Sequence, residues 1–421
     1  MEPILSKNWH IPGQHTLAVA RNNGAYGTLE KLFKMSPSAV IDEVKNSGLR
    51  GRGGAGFSAG IKWGFIPKDN KKPVYLVNNF DESEPGTFKD RSIAEKDPHM
   101  MIEGMIIAAY AIGARTAYIY IRGEYYRPWV RIEAAIKEAY DAGFLGKNIL
   151  GSGFDCDIHT HRGAGAYICG EETALLSSLE GGRGYPRIKP PFPAIAGLWG
   201  CPTIVNNAET LSNLPFILEK GAAAYKKYGT EKSSGTKLIS ASGHIHKPGV
   251  YEIEMGLPIQ TFINEYCGGV WKGRRLKGMV PGGSSFAVLT AAEAAKTNLD
   301  FESCAAAGTS LGSGGFYVMD ETTCMVEMMA NTAKFYAHES CGQCTPCREG
   351  TGWVKKIVTR IEGGQGRPQD LELLDNLAKN MMGRTICVFA EALAMPLLAY
   401  IAKFRGEFEE HIRLGHCPHG R

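Results

Sequence analysis

Hydrophobic runs separated by turn residues divide the chain into three stretches of different character. In the first, Pro73–Asn79 (PVYLVNN) reads as a buried strand, and Thr116–Gly123 (TAYIYIRG) as another. Met100–Ala114 is apolar enough for a buried helix. Val130–Gly143 spaces its apolar residues for an amphipathic helix that stops at glycine, and Phe154–His161 alternates like a strand. Ser38 is placed to cap a helix over AVIDEVKNS that Gly48 ends, and RGAGAYICG feeds a further helix, EETALLSSLEGG. Strands alternating with helices over residues 1–232 predict an α/β fold with a largely parallel sheet.

The pattern changes near Ser233. KLISASGHIHKPGVYEIEMG reads as two short strands around a Lys-Pro-Gly turn, TFINEYCGG as a short helix and GMVPGGSSFAVLT as glycine-punctuated strand. Residues 233–321 therefore predict a small α+β module, in which no acid, base or metal constellation is visible. From Thr322 onward four segments have helical spacing and short connections, which predicts an antiparallel bundle over 322–421. There is no internal repeat and no low-complexity run.

Composition narrows the function classes. A balance of 47 basic against 43 acidic residues gives a net charge of +4, too small for the phosphate grip of a nucleic-acid binder. The N-terminus lacks a secretory signal. The most apolar stretches, Met101–Ala114 and Ala392–Ala402, are shorter than the ~20 residues of a membrane span, and the first carries Glu103. These features predict a cytoplasmic chain whose 11 cysteines serve as core residues or metal ligands, not as disulfides. Glycine, at 52 of 421 residues, is enriched to about 12% against a usual ~7%, which implies that backbone must approach something closely.

Two features carry chemistry. The first is ESCGQCTPCREG, in which Cys341, Cys344 and Cys347 form a C-x2-C-x2-C run. Gly342 and Pro346 argue for an irregular loop that can curl its sulfurs inward. Three thiolates in so short a run plus a distant fourth is the spacing for a 4Fe–4S cluster, not for a zinc finger. Cys387 is the better candidate for the fourth ligand and Cys417 its rival, while Cys324 and the other isolated cysteines suit core packing. Arg348, beside Cys347, would raise the cluster's potential by its charge.

The second is a pair of glycine loops. Gly51-x-Gly53-x-x-Gly56 satisfies a dinucleotide pattern by letter, but a helix precedes it where that fold needs a strand. Its glycines still allow backbone N–H groups to approach a ring or phosphate, and Arg52 and Lys62 add cations within reach of phosphate. The second loop, RGAGAYICGEET, follows a strand and opens a helix whose N-terminus could receive an anion. Asp81, Glu82, Glu84, Glu171 and Glu172 lie beside these loops and would repel phosphate unless they face hydroxyls or ring N–H groups. That mixture suits a flavin together with a nicotinamide nucleotide lacking a 2′-phosphate. Phe57, Phe65 and Phe192 could stack on bases. NNAET (Asn206–Thr210) offers amides and a hydroxyl for a flavin's polar edge, or equally a helix cap.

Taken together, GLRGRGGAGFSAGIKW, NNFDESEPGTFKDR, GAGAYICGEETALLSSLEG, PTIVNNAETL and ESCGQCTPCREG resemble the family of the flavoprotein subunit of respiratory complex I, NADH-quinone oxidoreductase, over nearly the whole chain. The resemblance implies a Rossmann-like FMN- and NADH-binding domain, a ubiquitin-like β-grasp module and a C-terminal four-helix bundle carrying one 4Fe–4S cluster. It implies an enzyme that takes a hydride from NADH onto FMN and passes single electrons to the cluster and toward quinone. The alternative is the same chemistry in an NAD-reducing hydrogenase or NAD-dependent formate dehydrogenase. It implies FMN contacts by Gly51, Arg52, Gly54, Lys62, Asn79, Asp81, Glu82, Tyr167, Gly170, Glu171, Glu172, Asn206, Asn207 and Thr210. NADH would meet Phe57, Phe65, Glu84, Lys189 and Phe192, and the cluster would be held by Cys341, Cys344, Cys347 and Cys387. The implied partners are a thioredoxin-like 2Fe–2S subunit and a large iron–sulfur subunit, with the assembly peripheral on the cytoplasmic face of a bacterial inner membrane. Ser58 stands where the family usually has proline, which predicts a small change in the loop.

Overall fold

In the computed structural model, which describes residues 2–419, the first stretch forms four parallel strands: the three read from the sequence and a fourth, Thr203–Asn207, that the pattern did not announce. These are β1 (Tyr75–Phe80), β2 (Thr116–Ile121), β3 (Asp157–Arg162) and β4 (Thr203–Asn207), in the spatial order β3-β2-β1-β4. Tyr75 pairs with both Thr116 and Thr203, and Thr116 with Asp157. The strands therefore start flush, and their C-terminal ends, Asn79, Tyr120, His161 and Asn207, line up along one edge. Ligands bind at that edge in open parallel sheets.

The two faces of this sheet enter different cores. Leu76, Phe80, Ile119 and Ile121 pack with the N-terminal helices, whereas Val77, Tyr120 and Val205 join a cluster that continues into the C-terminal bundle. Burial on both faces is why β1 and β2 are largely apolar, whereas β3, at the edge of the sheet, alternates. Behind the sheet lies α1 (Pro98–Ile112), capped by the Asp97 side chain and closed by Gly113 in the left-handed conformation. Gly104 in this helix faces the carbonyl of Leu211 so closely that a Cβ would lie 2.0 Å from it. Glu103 is buried because Tyr26 N, Thr28 N and Thr28 Oγ1 all donate to it.

The middle stretch forms a mixed five-stranded sheet of β5 (Thr236–Gly243), β6 (Gly249–Glu254), β7 (Leu276–Val280), β8 (Leu289–Thr290) and β9 (Gly315–Asp320). Its order is β6-β5-β9-β7-β8, with β5 and β9 parallel at the centre. The last stretch supplies four helices: α2 (Met325–Glu339), α3 (Thr345–Glu362), α4 (Asp370–Met381) and α5 (Phe389–Leu414). Among the described residues no helix is long and apolar enough to cross a membrane.

Several local expectations are corrected. Ser36, not Ser38, caps the helix Pro37–Asn46, because Pro37 occupies its first position and Ser36 Oγ accepts from Ala39 N at 3.2 Å. Ser58 caps the helix Ala59–Trp63 at φ −61°, a value proline also adopts, so the departure from proline needs no loop change. The glycine-punctuated segment after Gly278 is two strands with PGGSSF as a loop between them. Among the described residues, thirty of the chain's 52 glycines have positive φ and are spread through turns over its whole length. The glycine excess is therefore mainly turn chemistry and only locally cofactor approach.

Candidate active site

The segment after β1 carries the acids. Glu82 folds back to accept from Asp90 N (2.8 Å) and Arg91 N (3.1 Å), so it caps the helix Lys89–Lys96, and Tyr125 Oη also donates to it. Glu84 accepts from Tyr167 Oη at 2.6 Å and from Ser285 N at 2.8 Å. Asp81 receives Ser83 Oγ at 2.6 Å on one oxygen, while its Oδ2 is buried without a partner. Burial pushes the carboxyls of Asp81 and Glu82 up to about 7, and Glu82 is raised further by Asp90. Burial also raises Glu84.

The glycine loop closes over the end of β4. Gly51 N donates to Phe57 O (2.8 Å), and Arg52 N donates to Thr210 Oγ1 (2.8 Å). Gly53 packs on Asn207, where a Cβ would come within 2.9 Å, but Gly54 at φ 144° faces open space. The Asn206 side chain accepts from Trp63 Nε1 at 2.8 Å. Asn207 Nδ2 donates to Asp90 Oδ2 at 2.7 Å, and Asn207 Oδ1 caps the helix that follows. Asn79 Nδ2 ties β1 to the second glycine loop through Gly170 O at 2.9 Å. The sequence-predicted polar residues are thus brought together at the strand ends.

Three expectations differ in detail. The Arg52 guanidinium is fully buried and donates to Ser234 O (2.7 Å) and Tyr225 Oη (3.2 Å), away from the loop's open face, although its Nε and Nη1 have no partner. The N-terminus of the helix Glu172–Leu179 is occupied by the chain's own anion, because Glu171 Oε2 accepts from Thr173 N and Ala174 N. Lys189 does not stand free for a nucleotide. It pairs with Glu171 (2.9 Å) and Glu172 (3.3 Å), while Lys62 holds Glu172 at 2.7 Å and donates to Val205 O. Burial works to raise the Glu172 carboxyl, but Lys62 and then Lys189 hold it below its ordinary value. The acids next to the loops are in this way offset by cations, and the repulsion of phosphate is largely relieved. Phe57, Phe65 and Phe192 each expose about half of their surface, and Phe57 and Phe65 lie 6.0 Å apart.

A buried network was missed by the sequence reading. Lys89 and Lys237 both pair with Glu209, at 2.8 and 2.6 Å, and Lys89 also holds Asp90. All four side chains are essentially buried. The network joins the end of β4 to β5 of the middle module, and the signal in the sequence was a lysine inside the apolar run TKLISAS. The middle module, in which the sequence shows no acid, base or metal constellation, also reaches Glu84 through Ser284 and Ser285.

The sulfurs lie at the head of the bundle. Cys344 is the N-cap residue of α3, and Cys347 sits in that helix's first turn. Pro346 does not break helix here, since a first-turn proline lacks only an N–H that would have no helical partner. Ile386 N donates to Cys344 Sγ at 3.3 Å, which brings the Cys387 loop to the triplet, and burial first, then Glu171, Cys341 and Cys347, push the Cys387 thiol up. Cys417 lies elsewhere, beside Cys324. Arg348 donates to Gly342 O (2.8 Å) and pairs with exposed Glu349 (3.0 Å), which makes it a brace for the loop with its charge already partnered.

Crevice and sulfurs meet at Tyr167. Its ring makes edge contacts with Phe335, Tyr336 and Phe389, at 5.4, 5.7 and 5.7 Å, while its hydroxyl reaches Glu84. The second glycine loop thus packs on α2 and the start of α5, the helices that flank the cysteine-bearing segments. A separate cavity of about 420 Å³ lies between the middle module and α2, lined by Pro85, His244, Tyr317 and Phe335.

Comparison with known proteins agrees with this geometry. Residues 44–215 match the Nuo51 FMN-binding domain, 237–306 the SLBB domain and 327–411 the NADH-ubiquinone oxidoreductase-F iron-sulfur binding region. The chain is similar to the second of the F-type subunits of NADH-quinone oxidoreductase in Rhizobium meliloti strain 1021, at 50% identity over 418 residues and 99% of each chain. It is also similar to the F-type subunit of the same enzyme in Mycobacterium tuberculosis strain H37Rv, at 48% identity over 99% of this chain and 95% of that one. Among solved structures, an NAD+-reducing [NiFe]-hydrogenase chain superposes with a TM-score of 0.84 at 36% identity, covering 98% of this chain and 67% of that one.

Proposed function

The chain belongs to the family of the F-type subunit of NADH-quinone oxidoreductase, and from that premise we propose which of its residues perform the work of an NADH-oxidising flavoprotein. The observation that carries the assignment is that Tyr167 joins the acids at the strand ends, through Glu84, to the start of α5 just after Cys387, whose loop is in turn held to Cys344. The donor sets suit the groups the family implies. The crevice offers an unpartnered buried acceptor in Asp81 Oδ2 and open backbone at Gly54, as a hydroxyl-rich flavin needs. The cysteines offer thiolates alone.

FMN would lie against the residues named for it, with Gly54 and the main chain of Arg52, not its guanidinium, on the approach side. Cys341, Cys344, Cys347 and Cys387 would hold the 4Fe–4S cluster. When bound, FMN accepts a hydride from NADH and the cluster carries single electrons onward. Lys62 and Lys189 pair with Glu172, and Lys189 also with Glu171, so the acids are compensated and a phosphate can lie near them. Phe57, Phe65 and Phe192 present apolar faces for the adenine. Glu84, held by Tyr167 and Ser285, faces nucleotide hydroxyls and disfavours a 2′-phosphate by charge. Tyr167 and its aromatic neighbours keep water from the wall between flavin and cluster. We place the domain boundaries after residues 232 and 321.

Relatives of the same length and higher identity favour the quinone-reducing enzyme over the diaphorase part of a hydrogenase. The partners proposed are a thioredoxin-like 2Fe–2S subunit and a large iron–sulfur subunit, on the cytoplasmic face of the membrane. Co-purification with native partners, flavin and iron analysis, and EPR after NADH addition test the whole reading. Two spin systems from a pair of chains support it. A colourless preparation that takes up no flavin on reconstitution overturns it.

A further inference from the structure

We infer that Cys324, Glu362, His411 and Cys417 form a second metal centre, a closed four-ligand zinc site that ties the C-terminal tail to the bundle. The four residues come from three separate elements: the N-cap of α2, the last residue of α3, and α5 with the tail beyond it. Their ligand atoms all lie within 4.8 Å of one another. Cys324 Sγ is 3.4 Å from His411 Nε2 and 3.7 Å from Glu362 Oε2, and His411 Nε2 is 3.5 Å from Glu362 Oε2. Ordinary zinc bond lengths at tetrahedral angles give edges of about 3.5 Å for S–N, about 3.6 Å for S–O and about 3.4 Å for N–O. The three observed separations match the edges of one tetrahedron, with Cys417 completing it.

The surroundings orient the ligands. His411 is fully buried, and its Nδ1 lies 2.7 Å from Glu407 O, so Nδ1 carries the proton and Nε2 turns its lone pair toward Cys324 and Glu362. A backbone carbonyl on the far ring nitrogen is the usual partner of a metal-bound histidine. Glu327 N donates to Cys324 Sγ at 3.3 Å. Two glycines bring the tail into place. Gly415 ends α5 in the left-handed conformation, and a Cβ on Gly364 would lie 2.0 Å from Gly415 O, so the loop after Glu362 and the turn before Cys417 touch backbone to backbone. Two thiolates, an imidazole and a carboxylate with no open position suit structural zinc. The sequence spreads these ligands over positions 324 to 417, which is why no motif announced them.

The test is metal analysis of the iron-loaded full chain, before and after incubation with zinc alone. About one zinc per chain is expected in addition to the cluster iron, with X-ray absorption showing two sulfurs at about 2.3 Å and two lighter ligands. Cys417→Ser and His411→Gln should each lower zinc affinity at least tenfold and leave iron unchanged. Cys387→Ser should do the reverse. Cys417 lies in the tail beyond the last helix, so its replacement is the variant least able to perturb folding. The inference is overturned if iron-loaded chain takes up no zinc. It is also overturned if zinc is indifferent to both substitutions, or if mass spectrometry finds Cys324 and Cys417 joined as a disulfide.

Discussion

Around the crevice, most polar groups are already committed to one another: Lys62 holds Glu172, Glu82 caps a helix, Glu84 takes the hydroxyl of Tyr167, and Asn207 takes Asp90. At the head of the bundle the four cysteines have few partners besides a backbone N–H on Cys344 and the Ser340 hydroxyl on Cys347. The first arrangement is a preorganised polar network set on rigid strand ends. The second is a set of soft ligands whose purpose is met only by the metal they enclose. Substitutions should therefore act gradually in the crevice, where each group has several supports, and in an all-or-none way among the sulfurs.

The sharpest test of that contrast is Cys387→Ser. Cluster iron should be lost nearly completely while flavin remains bound, as measured by iron and flavin content of the same preparation. Loss of both together would mean that the two regions are one cooperative unit. Next in size is Lys237→Met. It removes one cation from the buried Glu209 network and leaves that carboxylate with Lys89 as its remaining close ion-pair partner. Breaking a buried ion pair costs about 3–5 kcal/mol, read from denaturant unfolding. A cost near zero would show that Lys89 alone satisfies Glu209.

The unequal legibility of the regions has the same root. The cysteine triplet could be read because its three ligands are close in sequence, and Cys387 because a helix-connecting loop can return it. The strands β1 and β2 could be read because burial on both faces leaves apolar stretches such as VYLV and YIYI. The direction of a long side chain is not written locally. Arg52 is given to phosphate by its place in the glycine loop and Lys189 to the nucleotide by the family resemblance, yet Ser234 and Tyr225, or Glu171 and Glu172, claim them in space. Lys237 and Glu209 meet only because β5 is laid beside the end of β4, a contact of tertiary origin.

A smaller, pH-dependent effect belongs to Asp81, whose carboxyl is pushed by burial from 3.8 to about 7. Between those values the folded chain keeps a proton that the unfolded chain has released. Stability from this group is therefore full below the unfolded value and falls as pH rises toward 7. The slope is at most about 1.4 kcal/mol per pH unit, lessened by partial exposure. Asp81→Asn should flatten that part of the stability curve measured without added flavin. An unchanged slope would mean that Asp81 is ionised throughout. Tyr167→Phe is expected to cost about 1–2 kcal/mol by removing the hydrogen bond to Glu84. Because the ring and its aromatic contacts are kept, iron content should not change, and a fall in iron would tie the hydroxyl to the cysteines.

The smallest effect expected is that of Phe57→Ala, and it bears on what the crevice does once assembled. Phe57 is half exposed and its nearest aromatic neighbour is Phe65, at 6.0 Å and a tilt of 42°, so the protein gains little from holding the ring there. An exposed aromatic pair beside a glycine loop is useful to a flat ligand, for which each face offers about 0.5–1.5 kcal/mol. Phe57→Ala should therefore leave folding, flavin and iron untouched and raise KM for NADH by about two- to tenfold, with kcat changed less. Stacking on the adenine acts equally before and during hydride transfer, so it belongs in KM. If kcat fell instead while KM held, Phe57 would be positioning the reacting ring, and the nucleotide would lie in the crevice in the opposite sense.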